Sequence, residues 1–284
     1  MNQRERIALA LRDVKALPTL PDVAMRLLET TSNTDVSTRD LAAMIERDIS
    51  LASRLLKLVN SPFFGLKHDV TSVQQALMIV GMSNLRSLVL STAVLDLFDR
   101  DGSVGNFNRE EFWIHNIAVA AGARKLARIT RAADPDIAFT AGLLHDMGKV
   151  VFDRYLHQEF EQIAELLNDE SVVMSDAEEQ VIGVNHAELG GHLAAHWNLP
   201  EILRDSVGNH HNPLEAPNHK ELTALISVAD TMVRRLQVGN GGGANHPLDP
   251  AVLEMCRLDA PRFHEVMEDL AEVLQEQIHE FVKD

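Results

Sequence analysis

Cysteine occurs once in these 284 residues, at Cys256, which excludes an intramolecular disulfide, a thiolate cluster and a zinc ribbon. The near absence of thiols fits a reducing compartment, so a cytoplasmic location is expected. Aromatic residues are also scarce, at 5% of the chain, while hydrophobic residues reach 45%; the balance of Leu, Ala and Val suits helices better than sheets. Basic residues are in the minority, with 26 Lys and Arg against 42 Asp and Glu and a formal net charge of −16. Nucleic-acid binding rests on clustered cations that release counterions, so no direct nucleic-acid interface is expected. No apolar run approaches a membrane span, and the short run Ile7 to Leu11 is broken by Arg12 and Asp13, so neither export nor membrane insertion is expected. The glycines of Gly239 to Ala244 are not followed by the Lys-Ser or Lys-Thr of a phosphate loop, and no Gly-x-Ser-x-Gly elbow is present.

Histidine, by contrast, is plentiful: there are 13. Most single histidines are surface or satisfied core residues, and His68, His157, His192, His196, His219 and His279 are read that way. His192 and His196 lie four apart, but the Glu of the zinc-protease pattern is missing. His145-Asp146 differs, because it follows the apolar stretch Ile137 to Leu144, where a buried carboxylate is costly without a cation or donors to compensate it. His115 lies upstream, and His186, the pair His210-His211 and Asp230 follow. Imidazole and carboxylate are the first-row metal ligands that remain once cysteine is excluded, and two such metals can hold a phosphate and activate a water. The expected metal ligands are therefore His115, His145, Asp146, His186, His210, His211 and Asp230. One or two divalent ions are expected, with iron, manganese or zinc favoured over magnesium by the number of imidazoles. Lys149, about one helical turn past His145, is the candidate for neutralising phosphate oxygens, beside Asp146 in a catalytic role. At this length the chain buries a core without metal staples, so an ion here serves function rather than folding.

Helical patterning runs throughout, and no period-2 pattern of a dominant sheet is visible, so the expected fold is all-α. Two prolines in Leu17-Pro18-Thr19-Leu20-Pro21 predict an extended joint. Capping-box forms stand at Ser37 to Asp40, Ser72 to Gln75 and Ser175 to Glu178. Helices are predicted over Glu110 to Ile129, Asp134 to Tyr155 and Glu221 to Leu236. The Gly- and Asn-containing stretch Asp99 to Asn108 is read as a linker, dividing an N-terminal helical subdomain (1–100) from a subdomain with the metal site (108–284).

The stretch Leu17 to Phe98 resembles the HDOD domain, an HD-related output domain of bacterial signalling proteins. The resemblance rests on Leu17-Pro18-Thr19-Leu20-Pro21, on Ile45-Glu46-Arg47-Asp48, on the run Leu55 to Gly65, and on Gln75-Ala76-Leu77 continuing to Gly81. It extends through Trp113-Ile114-His115 and Ala141 to Lys149, down to about Leu236. It implies a multi-helical HD-like core with an N-terminal helical layer, and a signal-transduction role in which the N-terminal helices contact a protein partner. Many HDOD members resemble HD domains with a decayed ligand set, but this chain is similar to metal-binding HD and HD-GYP phosphodiesterases at all seven candidate ligands and at Lys149. His211 is followed by Asn212-Pro213-Leu214, so the Gly-Tyr-Pro element of the cyclic-dinucleotide enzymes is absent. The alternative to a regulatory protein is an active metal-dependent phosphohydrolase or phosphodiesterase acting on a nucleotide or other phosphate ester; a third is a helical scaffold without metal. No receiver or sensor domain precedes Leu17, so input is expected from another chain or a small phosphorylated ligand.

Overall fold

Leucine and alanine at three- and four-residue spacing generate helices along nearly the whole chain in the computed structural model, which describes residues 3–281 apart from 13, 15–16, 21, 30–37, 61–63, 65, 67, 96, 98–102, 105–106, 170, 240–242 and 245–246. In chain order the helices are α1 (Gln3–Ala10), α2 (Asp22–Glu29), α3 (Thr38–Glu46), α4 (Ile49–Val59), α5 (Val73–Val80), α6 (Met82–Leu95), α7 (Arg109–Thr130) and α8 (Pro135–Leu144). They continue as α9 (Lys149–Tyr155), α10 (His157–Leu166), α11 (Met174–Val181), α12 (His186–His196), α13 (Glu201–Asn209), α14 (Lys220–Arg235), α15 (Pro250–Met255) and α16 (Ala260–Phe281). The expected linker holds a small antiparallel ribbon, β1 (Ser103–Val104) with β2 (Phe107–Asn108), in the register Ser103 to Asn108 and Val104 to Phe107. Among the described residues no helix is long and apolar enough to cross a membrane.

The chain forms two units, Thr19–Asp96 with Asp269–Asp284, and Met1–Pro18 with Leu97–Glu268. Within the first, α3, α4, α5 and α6 bury Leu41, Ile45, Leu51, Leu55, Val73, Leu77, Leu85 and Val89. Asn60 clamps the following loop, donating from Nδ2 to the Val70 carbonyl at 2.8 Å and accepting from the Val70 amide at 2.7 Å. Ser72 caps α5, its Oγ accepting from the Gln75 amide, while Gln75 Oε1 reaches back to accept from the Thr71 amide rather than from that of Ser72, so the box forms one residue displaced. The box expected at Ser37, like Pro21 and Phe63, lies outside the described residues.

The second unit takes in the N-terminal 18 residues for a physical reason. Arg6 of α1 pairs with Glu188 and donates to the Gly183 carbonyl, and Trp197 Nε1 donates to the Pro18 carbonyl at 2.8 Å. The subdomain expected over 1–100 is thus not continuous. Here α7 packs on α8 and α14, α12 on α13, and α13 on α14. The sequence predicts one helix from Asp134 to Tyr155, and the structure divides it into α8 and α9. Residues 145–148 between them form tight turns, with Met147 N donating to Leu144 O and Lys149 N to Asp146 O. The interruption turns the Asp146 side chain into the interior. The third expected capping box is also different: α11 begins at Met174 with Val173 before it and no side-chain cap, which leaves Ser175 and Glu178 inside the helix.

Candidate metal centre

Each candidate ligand stands where a helix begins, ends or crosses another. His115 is on α7, His145 follows the last residue of α8, Asp146 is in the turn, His186 opens α12, His210 and His211 close α13, and Asp230 is on α14. Backbone contact brings these segments together. A Cβ at Gly148 would lie 1.9 Å from the His186 carbonyl oxygen and 2.7 Å from the Gly190 amide, so only glycine lets the turn approach α12 this closely. At the other end of α9, Arg109 of α7 forms a forked ion pair with the buried Asp153, Nη2 to Oδ1 at 2.7 Å.

The seven side chains meet in one cluster. Asp146 is central and its two oxygens face different groups. On one side, Oδ2 lies 3.4 Å from His145 Nε2 and 3.9 Å from His115 Nε2, while Asp230 Oδ1 is 3.0 Å from His115 Nε2 and 3.8 Å from His145 Nε2. On the other, Oδ1 lies 3.0 Å from His186 Nε2 and 3.7 Å from His210 Nε2, and His211 Nε2 is 2.8 Å from His186 Nε2. Two triads of ligand atoms result, His115–His145–Asp146 and His186–His210–His211, each with its atoms within 4.8 Å of one another. Six of the seven residues are buried, and His211 is half-buried.

The hydrogen bonds on the far side of the rings define what faces inward. His145 Nδ1 donates to the Gly142 carbonyl at 2.7 Å, and His210 Nδ1 donates to the Val207 carbonyl at 2.8 Å. His186 Nδ1 donates to Glu178 Oε2 at 2.6 Å, and the same oxygen accepts the His186 backbone amide at 2.8 Å. With Nδ1 carrying the proton, a neutral ring points the lone pair of Nε2 at the cluster centre, the form that coordinates metal. Among the described residues, His115 Nε2, His145 Nε2, His210 Nε2 and Asp146 Oδ1 are buried without a hydrogen-bond partner. Lone pairs gathered in this way repel one another unless a cation lies among them, so the donor set fits divalent metal.

Burial pushes the His145 imidazole down to about 4, and burial likewise holds His210 and His211 well below the ordinary histidine value. These rings are neutral near pH 7, as ligands must be. Burial also acts to lower His186, but the carboxylates of Glu178 and Asp146 outweigh it and leave that ring raised. For the two acids burial opposes ionisation, yet His145 and Lys149 hold Asp146, and Arg234 and His115 hold Asp230, well below the usual carboxylate range. Lys149 is buried, with Nζ 2.5 Å from Asp146 Oδ2 and 5.5 Å from the centre of the Phe112 ring.

Two residues of the site were not anticipated. Glu178 stood disguised as the last member of a capping box, and Arg234, one turn after Asp230, forks its Nε onto both carboxylate oxygens at 2.9 and 3.0 Å. An acid or arginine spaced one turn from a ligand is the signal that was available for Arg234; Glu178 had none in the local sequence. Of the histidines read as peripheral, His68, His157, His192 and His196 are exposed and His219 is half-buried, while the burial of His279 lies outside what the structure describes.

The family model of the HDOD domain matches residues 17–213. An uncharacterised protein of Treponema pallidum (strain Nichols) is 30% identical over 241 residues, which cover 82% of this chain and 45% of that protein. The chain spans less than half the length of the curated relatives it matches. A solved HDOD domain protein of unknown function from Geobacter sulfurreducens is 28% identical with a TM-score of 0.75, covering 99% of this chain and 96% of that one. A Shewanella amazonensis structure named "Putative phosphohydrolase" shares the fold at 23% identity and a TM-score of 0.72, covering 95% and 98% of the two chains.

Proposed function

The chain belongs to the HDOD family, and from that premise we propose that it is a signalling module whose His and Asp cluster holds two divalent metal ions that bind a phosphorylated ligand. The observation that carries this reading is Asp146: its two oxygens face separate histidine groups, and one of them, with three inward Nε2 atoms, is buried without a hydrogen-bond partner. Five imidazoles and two carboxylates suit iron, manganese or zinc better than magnesium. A divalent ion bound there supplies positive charge for phosphate oxygens and acidifies a coordinated water. The chain's own residues do the rest. Glu178, Gly142 O and Val207 O fix three ring orientations, Arg234 aims Asp230 at His115, and Lys149 sets a buried positive charge beside Asp146. In this reading the helices of the Thr19–Asp96 unit contact a protein partner, and the ligand state of the cluster is what that partner senses.

A second reading is favoured by one specific observation: every candidate ligand is kept, and Lys149 stands 2.5 Å from Asp146. In it the same cluster hydrolyses phosphate esters, with Lys149 stabilising charge on phosphate oxygens. A hydrolysis screen over phosphate mono- and diesters, with metal-loaded wild type and Asp146→Ala side by side, separates the readings. Turnover that Asp146→Ala abolishes establishes the enzyme; no turnover with metal bound leaves the signalling module; turnover surviving the substitution contradicts the assignment of Asp146.

A further inference from the structure

We propose that the cavity beside the cluster binds the alcohol portion of a phosphate monoester, an uncharged, hydroxyl-bearing group of about the size of one nucleoside. This rests on the reading of the cluster as a phosphate-holding metal centre. His211 and Asp230 belong both to the cluster and to the cavity wall, so a phosphate ester bound at the cluster has this cavity as the adjacent space for its organic part. The cavity measures about 300 Å³. That is the lower limit of small-molecule pockets, which run from about 300 to 1,000 Å³. There is space for one sugar with one ring system, so the second ring system of a cyclic dinucleotide would lie outside the cavity.

The lining selects against a second phosphate. Besides Asp230 the cavity presents Glu215 and Asp249, and the positive charge of Arg234 is already forked onto Asp230. An additional anion placed there meets the carboxylates of Glu215 and Asp249, which stand exposed at the cavity, besides the buried Asp230. What the walls do offer is apolar surface from Val173, Leu248 and Val252 together with the hydroxyl and amide groups of Ser227, Thr231 and Asn212. A neutral ring bearing hydroxyls matches that mixed lining. Glu215 and Asp249 can accept from sugar hydroxyls, which a phosphate cannot supply.

The test is calorimetric binding to the full chain loaded with manganese. The probes are inorganic phosphate, a nucleoside 5′-phosphonate that resists hydrolysis, its diphosphate counterpart, and a cyclic dinucleotide. The nucleoside phosphonate is expected to bind about tenfold tighter than each of the other three. Ala244→Phe, which places a ring in the cavity while keeping the amide that donates to the Val172 carbonyl, is expected to bring the phosphonate to the level of phosphate and leave phosphate unchanged. The pair Glu215→Gln and Asp249→Asn, in which Asn still caps α15, is expected to narrow the gap between phosphonate and diphosphate. A phosphonate no tighter than phosphate, or one indifferent to Ala244→Phe, overturns the proposal while the metal centre stands. Failure of the metal-loaded chain to bind phosphate at all overturns the metal-centre reading, and the proposal with it.

Discussion

Replacing Glu178 by Gln is the most informative single perturbation of the site, because Glu178 touches one ligand and would touch no metal. Its Oε2 accepts from His186 Nδ1 at 2.6 Å and from the His186 amide at 2.8 Å, and the residue is fully buried. Gln keeps the volume and an acceptor oxygen but removes the charge, and hydrogen bonds to an ionised acceptor are roughly twice as strong as neutral ones. Loss of such an outer partner lowers metal affinity about 10- to 100-fold, or roughly 1.4 to 2.7 kcal/mol. The pH dependence changes as well. Glu178 and Asp146 raise His186 above its ordinary value, so in the metal-free protein this ring adds stability that is fully present below about 6.5 and is lost as pH rises through the raised value. Metal must displace that proton, so affinity rises with pH through the neutral range. In Glu178→Gln the proton is held less tightly and the rise moves to lower pH. Competition against a chromophoric chelator at several pH values reads both effects. A dissociation constant and pH profile identical to wild type would refute the reasoning that Glu178 tunes His186 as a ligand.

Gly148→Ala places a methyl 1.9 Å from a backbone oxygen, so α9 and α12 must separate; overpacking of this kind costs about 1–3 kcal/mol or more, and thermal unfolding with metal analysis is expected to show a lower Tm together with weakened metal binding. A normal Tm with normal metal content would contradict the close-approach argument. Metal-free protein is expected to lose stability as pH falls from about 6.5 towards about 4: the unfolded chain takes up a proton at His145 that the folded chain refuses, and a drop from 6.5 to about 4 amounts to roughly 3 kcal/mol. Urea unfolding across that range tests it, and added metal, whose ligands must be deprotonated, is expected to raise the curve more at the higher pH and so to steepen the slope. Cys256 is buried and its thiol is pushed up to about 12, so it should resist alkylation in the native protein and react only in denaturant.

The fold class was legible because helical spacing of Leu and Ala recurs in nearly every segment, and because an adjacent His-Asp pair after an apolar stretch is costly to bury without compensation. That same cost singles out Asp146 as a candidate ligand; His115, His186, His210, His211 and Asp230 rest on residue type and order and on the resemblance to metal-binding HD domains, and the structure gathers them around it. What escaped has a common origin in tertiary contact. The break between α8 and α9 is imposed by the approach of Gly148 to α12, while local propensity favours continuation through Met147. Glu178 satisfies a capping pattern in the sequence, but its carboxylate is recruited by a ring eight residues later. The return of α1 to the later unit depends on Arg6 finding Glu188, a pairing across 182 residues that no window of sequence contains. The short ribbon at Ser103–Val104 and Phe107–Asn108 is too brief to leave an alternating pattern.

Metal content of the chain purified without chelator, and after reconstitution with iron, manganese or zinc, tests the central claim most directly. Two ions per chain are predicted for the wild type, with loss of both in Asp146→Ala, since that carboxylate belongs to one triad and turns its other oxygen to the second. A folded wild-type chain that binds no ion stoichiometrically under any of these conditions would contradict the account and leave the buried histidines as structural residues.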